Sequence, residues 1–357
     1  MVSQSAPLPG AHRLDMMRGS AMVVVLRDGA SVQERAAIEQ VLTDLGAADG
    51  AECVRSAAGD VYAAGVRLSG DDYTRLAALP AVARVVPVAT PYVLASRAYH
   101  PEPTIVRVGT ALIGAAEPVM IAGPCSVESE AQILEAARAA RDAGAQVLRG
   151  GAFKPRTSPY SFQGLGLRGV ELLARAGAEV GLPTVTEVME PGLVPAVAAL
   201  ADVLQIGSRN MQNFPLLRAA GRSGRPILLK RGFAATIEEW LLAAEYVLAE
   251  GNPNVILCER GIRGFDTQTR NVLDLACVPL LRELTHLPVI VDPSHATGRR
   301  ELVAPLGLAA VAAGADGLIV EMHPDPDAAL SDAAQTIDPA TLQGLVERSR
   351  AVRAAIG

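Results

Sequence analysis

The sequence predicts an α/β protein in which a closed (β/α)8 TIM barrel follows a small α+β, ferredoxin-like domain. Two observations lead to this prediction. From residue 117 onward, short apolar runs alternate with amphipathic helical stretches, and there are eight of each. Residues 22–87 follow a different order, βαββαβ, which is the split βαβ pattern of a ferredoxin-like domain. Eight consecutive βα units are what a closed barrel of parallel strands requires.

The amino-terminal domain is predicted from four apolar runs and two helical stretches. Ser31 can cap an amphipathic helix at residues 31–45, since Glu34 follows it three residues later, as in a capping box. A shorter helix is expected at residues 71–78. The strands are expected at residues 22–26, 52–56, 61–68 and 83–88.

The barrel is predicted from residue 116 to the end of the chain. Capping boxes at Ser129 with Gln132 and at Thr236 with Glu239 support two of its helices. An open, doubly wound sheet is the alternative, but it needs fewer than eight units, and no GxGxxG motif follows the first strand. The strands are expected at residues 119–123, 146–150, 183–187, 203–207, 227–231, 255–259, 288–292 and 317–321. The chain thus divides into a tail (1–20), a ferredoxin-like domain (21–90), a linker (91–115) and the barrel (116–357).

Composition excludes several classes of partner. The formal net charge is −6 and aromatic residues are only 3% of the chain, so neither nucleic acid nor an anionic membrane surface is an expected partner. No apolar run is long enough to span a membrane, and residues 1–20 lack the apolar core of a signal peptide. Four widely spaced cysteines without a CxxC pair argue against disulfides or a zinc knuckle, which favours a reducing, cytoplasmic setting.

Each predicted barrel strand has a polar or reactive group at or just past its end, where barrel enzymes place their catalytic groups. Six of these groups are cations. Cations that converge on one mouth repel each other unless anions lie among them, and arginine suits bidentate phosphate recognition. Surface ion pairing could explain any one of them, but it explains the set poorly. The sequence therefore predicts a site for two phosphorylated ligands or one bisphosphate, formed by Arg149, Lys154, Arg156, Arg209, Lys230 and Arg260.

A second set at the strand ends consists of Cys125, His295, Glu321 and Asp332. One thiolate, one imidazole and two carboxylates form a four-ligand set for a divalent transition metal. Mn²⁺ is the expected ion, with Fe²⁺, Co²⁺ and Zn²⁺ as alternatives. Because a buried cysteine is more often a small apolar core residue, the spacing alone makes this a hypothesis. Cys53, Cys258 and Cys277 are interpreted as such core residues, and His323 as a residue near the metal or structural only.

Seven local sequences resemble the DAHP synthase family (3-deoxy-arabino-heptulosonate 7-phosphate synthase), and most closely its type Iβ branch. They cover the whole predicted barrel, and residues 22–102 resemble the regulatory domain of some members. The seven are AGPCSVES (122–129), LRGGAFKPRTSPYSFQGLG (148–166), QIGSRNMQN (205–213), LLKRG (228–232), CERGIRGF (258–265), VDPSHATGRR (291–300) and IVEMHP (319–324).

The resemblance implies specific roles for these residues. Phosphoenolpyruvate would be held by Arg149, Lys154, Glu187, Arg209, Lys230 and Arg260. Erythrose 4-phosphate would be held by Lys154, Pro155, Arg156, Thr157 and Ser158, with Arg156 on its phosphate. The metal on Cys125, His295, Glu321 and Asp332 would polarise the aldehyde oxygen. Lys154, Glu187 and Asp292 are expected to be catalytic, the first two by moving protons. The condensation of phosphoenolpyruvate with erythrose 4-phosphate would be the first step of the shikimate pathway.

Three other functions remain as alternatives. A 3-deoxy-octulosonate phosphate synthase uses a five-carbon sugar phosphate, but such relatives typically carry Lys-Ala-Asn-Arg-Ser where this chain has Lys-Pro-Arg-Thr-Ser at 154–158. A Schiff-base aldolase could use Lys230, although it would not need the metal set. A non-catalytic amino-acid sensor is opposed by the completeness of that set. The resemblance also implies regulation by an aromatic amino acid, Tyr or Phe, and a homotetramer.

Overall fold

The computed structural model describes residues 21–46, 52–56, 59–64, 69–88, 90–154, 160 and 162–357. Its amino-terminal part is a four-stranded sheet with two helices, in the predicted order. The strand order β2-β3-β1-β4, antiparallel throughout, is that of a ferredoxin-like domain. The elements are β1 (Ala21–Leu26), α1 (Val32–Asp44), β2 (Glu52–Ser56), β3 (Gly59–Ala64), α2 (Gly70–Ala77) and β4 (Val82–Val88). The predicted strand 61–68 thus begins earlier, and its last four residues lie outside the described part of the chain.

Both faces of β1 are buried, which explains its uninterrupted apolar sequence. Successive side chains of a strand point to opposite faces. Val24 and Leu26 pack with α1 and α2 in one apolar cluster. Val23 and Val25 belong to a second cluster that also contains Tyr92 and the barrel core. The amino-terminal sheet therefore has its helices on one face and residues 92–99 on the other.

The segment predicted as a linker packs closely on the barrel. Glu245 accepts hydrogen bonds from the backbone N–H groups of Val93 and Ala95, both at 2.7 Å. The ring of His286 lies 2.7 Å from the Leu94 carbonyl oxygen and 2.6 Å from Thr104 Oγ1.

An antiparallel hairpin that the sequence prediction does not contain follows this segment. Its strands are β5 (Val106–Val108) and β6 (Ala111–Ile113). Their inward side chains, such as Val106 and Ile113, form one cluster with the side chains inside the barrel. The hairpin thus closes the amino-terminal end of the barrel and leaves the carboxyl end as its mouth.

The eight predicted barrel strands are confirmed, each to within one residue at either end. They follow one another around a closed parallel barrel in which the last strand pairs with the first, which excludes the open-sheet alternative. The strands are β7 (Val119–Gly123), β8 (Val147–Arg149), β9 (Thr184–Glu187), β10 (Val203–Ile206), β11 (Ile227–Lys230), β12 (Val255–Glu259), β13 (Val289–Val291) and β14 (Gly317–Glu321).

Helices surround the barrel on the outside. The predicted capping box at Thr236 and Glu239 is present. At the other predicted box only one of the two hydrogen bonds forms: the Ser129 side chain accepts from the backbone N–H of Gln132, but the Gln132 side chain does not accept from the backbone N–H of Ser129. The helices are α3 (Glu130–Asp142), α4 (Leu167–Val180), α5 (Val194–Ala198), α6 (Phe214–Arg222), α7 (Ile237–Leu248), α8 (Cys277–Leu284), α9 (Pro293–Thr297), α10 (Arg300–Ala312) and α11 (Pro339–Ile356). Within the described part of the chain, no helix is long and apolar enough to cross a membrane.

Candidate active site

A cavity of about 380 Å³ opens at the carboxyl ends of the barrel strands. It brings together most of the residues that the sequence predicts for the site: Arg149, Lys154, Glu187, Arg209, Lys230, Arg260, His295 and Asp332. Pro155, Arg156, Thr157 and Ser158, predicted to hold the second substrate, lie outside the described residues. The cavity also has lining residues that the sequence prediction missed, among them Gln205, Ser208, Phe233 and Arg270.

Three of the four predicted metal ligands form a compact group. The ligand atoms of Cys125, Glu321 and Asp332 all lie within 4.8 Å of one another. His295 adjoins this group, with its Nε2 atom 3.2 Å from Oε1 of Glu321. A thiol, two carboxylates and an imidazole are suitable donors for a divalent transition metal, so the residues present fit such an ion.

The proposed ligands Glu321, Cys125 and Asp332 lie at or beyond the ends of barrel strands. Glu321 is the last residue of β14, and Cys125 follows β7 by two residues. Asp332 has a φ of 54°, in the left-handed region, and no other described residue except glycine has a positive φ. Aspartate tolerates this region better than most residues, and a strained backbone of this kind is concentrated at functional sites.

Asp292 orients the His295 ring. The carboxylate of Asp292 accepts hydrogen bonds from the backbone N–H of His295 at 2.9 Å and from its ring Nδ1 at 2.7 Å. It also pairs with Lys230, whose Nζ atom lies 2.5 Å from Oδ2. Although burial alone would raise the pKa of Asp292, His295 and Lys230 hold it far below its usual range. Asp292 therefore holds the Nδ1 side of the His295 ring, and the Nε2 atom faces Glu321.

Two predicted substrate-binding cations contact the metal-ligand group directly. Arg149 donates to Glu321 Oε1 at 2.8 Å, and Lys154 donates to the carbonyl oxygen and the sulfur of Cys125 at 2.8 and 2.9 Å. Burial, and then the charge of Glu321, raise the pKa of Cys125 to about 12, against the effect of Lys154. With its pKa raised this far, the Cys125 thiol stays protonated beside the carboxylates of Glu321 and Asp332, and a divalent metal would favour its thiolate form.

Arg260 is a buried cation with an unsatisfied donor. Its side chain lies in the cavity wall, its Nη1 atom has no hydrogen-bond partner in the described structure, and burial lowers its pKa. Its Cζ atom lies 4.7 Å from the centre of the Phe233 ring, and Cζ of Arg209 lies 5.6 Å from the same centre. Buried donors are nearly always satisfied in native proteins, so Arg260 points to an anionic ligand in the cavity.

Glu187 also lines the cavity. It is the last residue of β9, half-buried, and its Oε2 atom accepts a hydrogen bond from Gln205 at 3.3 Å. Gln205 stands on the neighbouring strand β10. The position of Glu187 at a strand end is the signal that identified it, whereas Gln205 lies one residue before its strand end and was missed.

Two further residues missed by the sequence prediction extend the metal-ligand group. Gln335 donates to Glu321 Oε2 at 2.5 Å and accepts from Arg270 Nη1 at 2.9 Å. Arg270 also lies 3.8 Å from Oδ1 of Asp332.

Cys258, Cys277 and His323 are not among the residues that line the cavity. Cys258 and Cys277 are buried members of the apolar clusters, although Sγ of Cys277 also lies 4.0 Å from Oε2 of Glu259, and burial raises the pKa of both thiols. The side chain of Cys53 lies outside the described part of the structure. His323 is buried, and its Nδ1 atom accepts a hydrogen bond from the backbone N–H of Asp325 at 3.0 Å.

Comparison with known proteins gives consistent matches. The family profile described as the DAHP synthetase I family matches residues 98–355. A phospho-2-dehydro-3-deoxyheptonate aldolase from Thermotoga maritima is 50% identical over 296 residues, which are 82% of this chain and 88% of that protein. A 2-dehydro-3-deoxyphosphooctonate aldolase from Nitrobacter hamburgensis is 35% identical over 264 residues, covering 68% and 91% of the two chains.

A solved structure has a similar fold over most of this chain. The crystal structure of the phospho-2-dehydro-3-deoxyheptonate aldolase (DAHP synthase) from Thermotoga maritima superposes with a TM-score of 0.75 at 44% identity. The match covers 94% of this chain and 98% of that one, so it includes the amino-terminal sheet as well as the barrel.

Proposed function

This chain belongs to the DAHP synthetase I family, and from that premise we propose that it is a 3-deoxy-7-phosphoheptulonate synthase. It is an enzyme, a metal-dependent transferase. It condenses phosphoenolpyruvate with erythrose 4-phosphate and water, and releases DAHP and inorganic phosphate.

One observation carries the proposal beyond family membership. The cavity joins a cluster of cations, one of them buried with an unsatisfied donor, to a thiol–carboxylate group whose ligand atoms lie within 4.8 Å of one another. A phosphorylated acid needs the cations, and an aldehyde acceptor needs an electrophilic activator beside them. Arg149 and Lys154 belong to the cation cluster and contact the metal-ligand group directly, so the two reacting carbons would be held next to each other.

The cations hold phosphoenolpyruvate. Arg260 has a free buried donor for one of its anionic oxygens, and Arg209 shares the Phe233 ring with it. Lys230 is paired with Asp292, so the charge of Asp292 partly neutralises the charge that Lys230 offers to phosphoenolpyruvate. Arg149, Lys154, Arg209, Lys230 and Arg260 would bind the phosphate and carboxylate, with Glu187 at the edge of the same cavity. The acceptor would be held by Lys154, Pro155, Arg156, Thr157 and Ser158.

Cys125, His295, Glu321 and Asp332 would hold the divalent metal, with Mn²⁺ as the proposed ion. When bound, the metal supplies Lewis acidity at the aldehyde oxygen of the acceptor. Asp292 keeps the Nδ1 atom of His295 engaged, which leaves Nε2 as the ligand atom.

The chemistry is a condensation followed by loss of phosphate. Carbon 3 of phosphoenolpyruvate forms a bond to the aldehyde carbon, water adds at carbon 2, and the bond between carbon 2 and the phosphate oxygen breaks. Lys154 carries protons on Nζ close to the metal-ligand group, and Glu187 offers a carboxylate in the same cavity. We assign proton transfer to these two residues and stabilisation of the departing phosphate to the arginines.

A phosphate-release assay tests this function. The purified enzyme with Mn²⁺ and phosphoenolpyruvate should release phosphate only when an aldose phosphate is added, and erythrose 4-phosphate should give the highest kcat/KM. The relatives named 2-dehydro-3-deoxyphosphooctonate aldolase favour a second candidate, a synthase that uses arabinose 5-phosphate. A higher kcat/KM for arabinose 5-phosphate would replace the first proposal with the second.

We propose that residues 21–90 form a regulatory domain, with residues 91–115 connecting it to the barrel at 116–357. An aromatic amino acid, Tyr or Phe, is the proposed effector, and a homotetramer is the proposed assembly. Among the described residues, those that line the cavity all come from the barrel. Its sheet packs on residues 92–99 and the barrel core, so a shift of the sheet could be transmitted to the barrel.

A further inference from the structure

Gln335 is a buried side chain with a fixed amide orientation. Only 3% of the residue is exposed to solvent, and it ends a short turn of helix at Ala333–Gln335. Its Oε1 atom faces Nη1 of Arg270 at 2.9 Å and its Nε2 atom faces Oε2 of Glu321 at 2.5 Å. A guanidinium has only donors and a carboxylate only acceptors, so the amide oxygen must face Arg270 and the amide nitrogen must face Glu321.

Glu321 is held at both of its oxygens. Arg149 donates to Oε1 at 2.8 Å, and His295 Nε2 lies 3.2 Å from the same atom. Gln335 is the hydrogen-bond donor to Oε2. A carboxylate held at one oxygen can rotate about its terminal bond, whereas one held at both keeps its plane. Gln335 therefore supplies the second point that fixes the orientation of this ligand.

Arg270 connects this contact to the substrate cavity. Its side chain lines the cavity, and it also faces Asp332 Oδ1 at 3.8 Å. Gln335 thus links a cation of the cavity wall to a buried carboxylate of the metal-ligand group.

We infer that Gln335 is a positioning residue, which orients Glu321 for metal binding and couples it to Arg270. The inference rests on the proposed metal site. Residues that hydrogen-bond to metal ligands typically change metal affinity by about 10- to 100-fold when they are replaced. Gln335 is not among the residues that line the cavity, and it acts through its hydrogen bond to Glu321.

The test measures metal binding directly, with Co²⁺ as the probe. Co²⁺ bound to a thiolate gives a sulfur-to-metal charge-transfer absorption, which reports whether Cys125 is a ligand and how the site is arranged. Gln335→Met keeps the volume of the side chain and removes the hydrogen bonds, and Gln335→Leu is a second variant of different shape. Gln343→Leu is the matched control, since Gln343 also donates to a glutamate, Glu347, at 3.0 Å, but on the exposed face of α11.

The dissociation constant for Co²⁺, measured against a competing chelator, should rise roughly 10- to 100-fold in the Gln335 variants and stay unchanged in Gln343→Leu. The charge-transfer band should shift or weaken in the Gln335 variants alone. With metal at saturation, kcat should fall more than KM for phosphoenolpyruvate rises. A role in stability alone would lower the Tm of the metal-free protein without changing Co²⁺ affinity.

Two results separate the failure of this inference from that of the proposed function. Wild-type affinity and an unchanged band in either folded Gln335 variant would overturn the role of Gln335 and leave the metal site intact. No Co²⁺ binding and no charge-transfer band in the wild-type protein would overturn the metal site, and the inference with it.

Discussion

Arg260 lies with its guanidinium over the ring of Phe233, 4.7 Å from Cζ to the ring centre, and one of its buried nitrogens has no partner in the described structure. The Cζ atom of Arg209 also lies over this ring, 5.6 Å from its centre. A single aromatic side chain thus contacts two of the cations that we assign to phosphoenolpyruvate. Contacts of this kind contribute about 0.5–2 kcal/mol each.

Replacing Phe233 with Leu should weaken phosphoenolpyruvate binding. The loss of the ring frees both guanidinium groups to rotate, so KM should rise roughly 2- to 30-fold, with a smaller change in kcat. Steady-state kinetics measure this. Tyr246→Leu is the control, because Tyr246 lies under Arg218 at 5.1 Å on the outer helices. Equal KM values in wild type and Phe233→Leu would show that the ring does not position the arginines.

Replacing Arg260 with Met should change stability and activity in opposite directions. The ligand-free protein loses a buried cation with an unsatisfied donor, so its Tm should rise. Phosphoenolpyruvate loses a charged hydrogen bond, so kcat/KM should fall roughly 10- to 150-fold. Thermal unfolding and steady-state kinetics check the two effects. Arg218→Met is the control, since Arg218 is exposed and should affect neither measurement greatly. A lower Tm together with unchanged kcat/KM would mean that Arg260 is a structural residue.

Glu245 should make stability depend on pH. Burial raises the pKa of Glu245 to about 7, although the backbone N–H groups at residues 93–95 oppose this. The folded pKa lies above the ordinary value of 4.5, so the stabilising contribution is full below pH 4.5 and is lost as the pH rises through 7. Relative to Glu245→Gln, the wild-type Tm should therefore fall between pH 4.5 and 7. Glu238→Gln, an exposed change on the same helix, should reproduce the wild-type profile. A wild-type profile parallel to that of Glu245→Gln would contradict the assignment.

Deleting residues 1–90 should abolish any inhibition by aromatic amino acids while leaving activity. The cavity residues all belong to the barrel, so the catalytic groups stay in place. Inhibition by Tyr and Phe, titrated against the full chain and the deletion variant, is the measurement. If neither amino acid inhibits the full chain, the proposed effector is wrong.

The deletion also removes the sheet that covers Tyr92 and its neighbours. A variant with a large apolar surface exposed can aggregate, and activity would then be lost for an unrelated reason. Val23→Asp in the full chain provides the second measurement, because it disturbs the contact between the sheet and residues 92–99 without removing either. Inhibition should weaken in Val23→Asp while kcat stays close to wild type.

The sequence was sufficient to predict the helices and strands that have a strong periodicity, and to propose the groups at strand ends as site residues. Eight apolar runs predicted the barrel, and the rule that barrel enzymes place catalytic groups at the carboxyl ends of strands led to Cys125, Glu187 and Glu321 as candidate site residues. Arg270 and Gln335 lie 11 and 14 residues beyond their strands, β12 and β14, and they were missed because, unlike Asp332, neither carries a metal-ligand group that would single it out so far from a strand end. Their roles depend on loops that meet only in the folded barrel.

The hairpin β5–β6 and Phe233 were missed for other reasons. Each strand of the hairpin has three residues, too few for alternation to stand out, and prolines nearby suggested an open linker. Phe233 follows the LLKRG motif, but it has neither a charge nor a reactive group, so the pattern of polar groups at strand ends does not include it. Its importance comes from the two guanidinium groups that lie over its ring, and such a contact has no signature in the sequence.

Phosphate release by the metal-stripped enzyme and by Cys125→Ala tests the central claim most directly. With phosphoenolpyruvate and erythrose 4-phosphate, the chelator-treated wild type should show no turnover, Mn²⁺ should restore it, and Cys125→Ala should stay inactive because the thiolate ligand is missing. Full activity in a verified metal-free preparation of Cys125→Ala would contradict the account. Trapping of a covalent adduct on Lys230 by borohydride would then identify the protein as a Schiff-base aldolase instead.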